Sequence, residues 1–341
     1  MEIGIYTFAD VAAGHPEQAG QRLRNLVEEM ELADQVGLDV FAVGEHHRAD
    51  YAVSSPAVAL AAGASRTSRI KLSSAVTVLS SDDPVRVFQQ FATLDGLSNG
   101  RAEIMAGRGS FIESYPLFGY DLDDYDALFA EKLDLLMKLR DGERITWRGS
   151  LRPSLEKAGI YPRPEQARLP IWIAVGGTPQ SVVRAATLDL PMALAIIGGD
   201  PKRFAPFFQL YRDTAEKAGR DPAKSVLSLN MHGFVSDTTD KAKDIYFAAH
   251  TEVMNRIGRE RGWPPQGRSH FEVAAGPEGN LIIGDVQRVA DRIIELRKVF
   301  NNSRILIQMA IGTVPHAEQL NAIRLLGEEV VPRVKAALAK L

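Results

Sequence analysis

The 341-residue chain contains no cysteine. That excludes disulfides, iron–sulfur clusters and thiolate zinc sites, and it suits a reducing compartment. Charge of one sign is also missing: 40 Lys and Arg face 43 Asp and Glu, a net charge of -3 mixed along the chain. Nothing therefore argues for a nucleic-acid or anionic-membrane partner. No apolar run approaches the roughly 20 residues that a membrane helix needs. The first residues pass straight into IGIYTF, without a basic region, a long apolar region or a cleavage site. The expectation is a soluble, cytoplasmic protein. Three common motifs are absent too: G-x-G-x-x-G, the P-loop and the G-x-S-x-G elbow, since the serine of GRGSF is out of frame for the last.

What is present is a repeated strand–helix alternation, clearest between Ile70 and Gly109. Residues 70–79 are apolar and β-branched, as a buried parallel strand should be. Asp83-Pro84 predicts a helix start, because Asp accepts from free backbone N–H groups and Pro has none to lose. Val85, Phe88, Ala92 and Leu94 supply an apolar stripe, and Asn99-Gly100 tolerate the positive φ that ends a helix. Further strands are predicted at 3–8, 40–44, 102–106, 171–175, 192–197, 226–235 and 304–309, nearly all followed by helices. Residues 140–170 read as extended segments and turns, and 258–280 as a Gly/Pro-rich excursion. Eight such units, joined by right-handed crossovers, predict a closed (β/α)8 barrel as one domain over 1–341, with loop insertions after the fourth and seventh strands. An open doubly wound sheet is the competing arrangement.

A barrel places its site at the carboxyl ends of the strands. Those ends carry Phe8, Glu45-His46-His47, Ser80-Ser81, Arg108 between two glycines, Gly176-Gly177-Thr178 and Gly198-Gly199. The run from Gly176 through Thr178 to Ser181 is the phosphate candidate. Free N–H groups, a helix dipole and two hydroxyls converge there, although an ordinary capped helix would read the same. Arg108 could pair with a phosphate, stack on a flat ring, or serve only an internal ion pair. Adjacent histidines on a strand point to opposite sides, which argues against a shared metal. One of them as an acid or base is the stronger reading, against a structural histidine at the rim.

GEHH, AVTVLSSDDPVR, LSNGRAEIMAGRG, FGYD and IWIAVGGTPQSVVRAA, in that order, resemble the bacterial luciferase-like family of flavin-dependent monooxygenases. The resemblance covers most of the chain. It implies a (β/α)8 barrel that binds FMN, or in some branches a deazaflavin, and a mobile insertion after the seventh strand. It implies that His46 lies beside the reacting edge of the flavin and that a non-proline cis peptide joins Ala75 to Val76 beneath the ring. Arg108 is implied near the phosphate or ring, and Gly176, Gly177 and Thr178 at the phosphate end; Ser181 and Phe8 complete the expected cofactor contacts. The cysteine that luciferases carry near Arg108 is replaced here by Ala106 and Gly107, so light emission is not implied. The long SFIESYPLFGYD loop resembles the non-luminous, FMN-using branch. The expected activity is oxidation of a small-molecule substrate with reduced FMN and dioxygen. A separate flavin reductase and a homodimer are the implied partners. A deazaflavin-dependent hydride transfer, a flavin-binding protein without turnover and a metal-dependent hydrolase are the alternatives.

Overall fold

The computed structural model describes residues 1–340. Twelve strands occur among them: β1 (Glu2–Thr7), β2 (Val40–Val43), β3 (Lys71–Ser74), β4 (Thr77–Val78), β5 (Ala102–Gly107), β6 (Arg144–Trp147), β7 (Leu155–Gly159), β8 (Ile171–Val175), β9 (Met192–Ile196), β10 (Leu227–Val235), β11 (Ile282–Gly284) and β12 (Arg304–Gln308). Eight form a ring in the order β1-β2-β3-β5-β8-β9-β10-β12, and β12 returns to β1 with Ile5 opposite Ile307. Every pairing in the ring is parallel. The closed ring settles the barrel against the open sheet.

Alternation along the strands sorts side chains between two cores. Ile3, Ile5, Leu72, Ile104, Ile171 and Ile173 pack outward under the helices. Tyr6, Ala42, Ala75, Met105, Trp172, Ala193 and Leu306 form a separate interior cluster. At the amino-terminal end the interior is closed by ions. Arg304, 1% exposed, donates to Glu103 through both Nη atoms at 2.6 and 3.0 Å and through Nε to Glu2 at 2.7 Å. Its guanidinium lies 4.1 Å from the centre of the Trp172 ring.

The helix Pro84–Leu97 starts as its sequence predicts, with Asp83 Oδ1 accepting from the N–H groups of Val85 and Arg86. It ends at Asn99 and Gly100, both with positive φ. The single strand expected over 70–79 is instead split into β3 and β4. The peptide between Ala75 and Val76 at the break is cis, and β4 resumes pairing with β5 through Thr77 and Ala106. Residues 140–170 contain an antiparallel hairpin, β6–β7. The excursion after β10 is more ordered than its composition suggests. The helix Thr239–Arg261 ends at left-handed Gly262, a second helix spans Arg268–Ala274, and β11 adds to β10 beyond the ring. No described helix is long and apolar enough to cross a membrane.

Candidate active site

The carboxyl rim brings the predicted residues onto neighbouring staves. Past β2, His46 is 7% exposed. Its ring stacks on Phe8 at 4.6 Å, meets Phe111 edge-on at 4.6 Å and lies 4.4 Å from Tyr51. Nδ1 comes no closer than 3.9 Å to Glu113 Oε1, longer than a hydrogen bond. Burial pushes the imidazole down to about 3, and the nearby cations Arg48 and Arg261 and the His47 ring act in the same direction. His46 is therefore neutral near pH 7. His47 turns elsewhere and meets Phe118 at 5.0 Å, so the two rings do not converge on one point.

Glu45 behaves oppositely. Its Oε1 accepts from the Val78 N–H at 2.6 Å. Burial pushes its carboxyl up to about 8; the Val78 bond opposes this and Asp82 adds to it. Glu45 therefore holds its proton at pH 7.

The rim continues from His46 to the phosphate candidate without a gap. A Cβ at Gly44 would fall 2.3 Å from the Phe8 ring and 2.6 Å from the Ala75 oxygen, and one at Gly107 would fall 2.8 Å from Val76 Cγ2. Only glycine allows these approaches. Arg108 follows Gly107. It pairs with Asp126, donates through Nη2 to Ser181 Oγ at 3.3 Å and lies over the Tyr125 ring at 5.2 Å. Tyr115 and Tyr125 donate to the carbonyls of Arg108 and Gly109, each at 3.1 Å, which fixes the turn. The ion pair expected as one reading of Arg108 is present, with Asp126 as the carboxylate, and the same guanidinium also reaches Ser181 at the start of the next helix.

The cradle itself is open. Gly177 has φ +106°, a Cβ at Gly176 would meet nothing within 4 Å, and the Thr178 side chain makes no cap bond to the helix Pro179–Thr187. Gly198 and Gly199, past the end of the neighbouring β9, are equally uncrowded. An uncapped helix start with a guanidinium and a buried hydroxyl beside it fits a phosphate.

Over the His46 side, the end of the helix Thr239–Arg261 is tied down twice. Glu260 accepts from Arg48 at 2.8 and 2.5 Å, and Arg261 donates to the Ser110 carbonyl at 2.8 Å. No group of three or more His, Asp or Glu among the described residues could hold a metal ion.

The family model for luciferase-like monooxygenases matches residues 1–302. The chain belongs to that family. Among luciferase-like relatives, it is 31% identical to N-acetyl-S-alkylcysteine monooxygenase of Bacillus subtilis, over 86% of this chain and 89% of the relative. It is 24% identical to an F420-dependent glucose-6-phosphate dehydrogenase of Microbacterium testaceum, over 90% and 92%. The oxygenating constituent of 3,6-diketocamphane monooxygenase from Pseudomonas putida, solved with FMN, superposes with a TM-score of 0.80 at 17% identity, covering 98% of each chain.

Two features of this luciferase-like site escape sequence reasoning. Asp126, which shares Arg108 with Ser181, stands on the first turn of another helix, and no local spacing links it to the rim. The retained proton on Glu45 depends on burial. The EHH run shows the residue but not its surroundings.

Proposed function

We propose that this chain is an FMN-dependent monooxygenase that uses dioxygen to oxidise a small organic substrate, with reduced FMN delivered by a separate reductase. The observation that carries the reading is the continuous rim from His46 through Phe8, Ala75, Val76 and Arg108 to Ser181. Gly176, Gly177, Thr178 and Ser181 would hold the phosphate with Arg108, and Phe8, Ala75, Val76 and His46 are the residues of the same rim that would meet the ring. Bound reduced flavin supplies the electrons that activate dioxygen.

The chain's own residues then orient, dry and exchange protons. Phe8, Tyr51 and Phe111 pack around His46 and exclude water. His46 is neutral here and neither ring nitrogen is hydrogen-bonded within the described residues, so its N–H is free to donate and its bare nitrogen to take up a proton; burial alone makes it a weak base, and an anionic group bound beside it would raise it. Glu45, protonated two residues from β2, holds the Val78 backbone and with it the turn after β4.

Oxygen uptake with FMN, a reductase and a panel of aldehydes, ketones, thioethers and aromatics tests the function. Substrate-dependent uptake is expected. His46→Ala should lower turnover by about 10²–10⁴-fold with FMN affinity intact, the usual range for a lost acid or base. Unchanged turnover would remove the catalytic role. The F420-dependent relative supports a second reading, hydride transfer with a deazaflavin. Anaerobic titration with both coenzymes separates the two.

A further inference from the structure

One cation beside the cradle has no role so far. Arg184 stands on the helix Pro179–Thr187, three residues past Ser181. Residues three apart share a helix face, so Arg184 starts from the face that carries Ser181, and it lies against Phe129, one turn past the Asp126 that pairs with Arg108. Its guanidinium lies 5.4 Å from the centre of the Phe129 ring. Its Nη1 is shut away from solvent and has no hydrogen-bond partner. The charges that bear on it are Arg108, which repels it, and Asp126, which is already paired with Arg108.

Two guanidiniums thus lie near one carboxylate, which is paired with Arg108 alone, beside a helix start worth about half a positive charge. The local excess is about +1.5. A phosphomonoester carries about -1.5 to -2 near pH 7, up to twice the single charge of a phosphodiester, and is attracted to this excess more strongly. We infer that Arg184 is a second cation of the phosphate cradle and makes it selective for a phosphomonoester over a phosphodiester. The inference rests on the flavin reading above and sharpens it: FMN ends in a monoester, whereas coenzyme F420 carries its phosphate as a diester.

A purely structural Arg184 would complement the carboxyl end of its short helix and pack on Phe129. Fluorescence titration of the full chain with oxidised FMN, riboflavin and F420 distinguishes the roles, with the melting temperature as a check on folding. The unsubstituted protein should bind FMN most tightly. Arg184→Met should raise the FMN dissociation constant about tenfold, the scale of one charge-assisted hydrogen bond, and shift riboflavin less than twofold. Arg184→Lys, which keeps the charge, should retain most of the preference; Arg184→Gln replaces the methionine variant if that one does not fold. Parallel weakening of FMN and riboflavin, or no change in either, overturns the role of Arg184 while leaving flavin binding in place. Equal binding of FMN and riboflavin by the unsubstituted protein, or tighter binding of F420 than of FMN, removes the phosphate assignment and this inference with it.

Discussion

Glu45 and His46 are neighbours in sequence with opposite responses to the same burial. Desolvation disfavours whichever form is charged, so it raises the acid and lowers the base. Both are neutral near pH 7: Glu45 keeps its proton and His46 stays unprotonated. The raised carboxyl has a consequence for stability. Its folded value of about 8 exceeds the unfolded one, so its contribution is complete below about 4.5 and is lost as pH rises through 8. Glu45→Gln keeps an oxygen for the Val78 N–H and cannot ionise. Melting temperatures at pH 6 and pH 9 should therefore fall less in this variant than in the unsubstituted protein; an equal alkaline fall in both would show that Glu45 is not the group that ionises. The position of this pair was legible in the EHH run, which marks a strand end rich in titratable groups. Its protonation was not, because Tyr51, Phe111 and Val78 reach it from segments that sequence spacing does not connect.

Elements were legible where backbone chemistry is local. Asp83-Pro84 starts a helix and Asn99-Gly100 ends it because capping and positive φ are properties of a few consecutive residues. The ordered excursion after β10 was not legible. Its glycines and prolines point to turns, but Arg268–Ala274 becomes helical by burying Phe271 against Phe247, a tertiary contact. The end of the preceding long helix depends on a similar long-range tie, the Arg48–Glu260 pair across the mouth. Both partners are partly exposed, and such pairs contribute about 1 kcal/mol or less. Glu260→Ala should accordingly speed amide exchange over residues 258–267 by up to about fivefold, with the barrel strands unchanged. Exchange that stays at the unsubstituted rate would mean that Arg261 and Trp263 hold the helix end without the pair.

The molecule divides its two ends between stability and chemistry, as barrels do. The carboxyl end is glycine-rich and partly open, with polar groups whose partners are incomplete. The amino-terminal end is closed by Arg304, whose donors are shared between Glu103 and Glu2 and whose face rests on Trp172. A buried ion pair costs desolvation when formed, and removing one partner strands the other. Glu103→Ala leaves Arg304 with Glu2 alone, and should lower unfolding free energy by about 3 kcal/mol in denaturant titration. On the proposed FMN reading, the same variant should bind FMN as the unsubstituted protein does, because the Gly176–Ser181 turn and His46 sit at the opposite end of the strands. A change in FMN affinity at 25 °C in protein shown to be folded would mean that the ion plug sets the geometry of the mouth through the barrel interior, where Trp172 and Met105 connect the two ends.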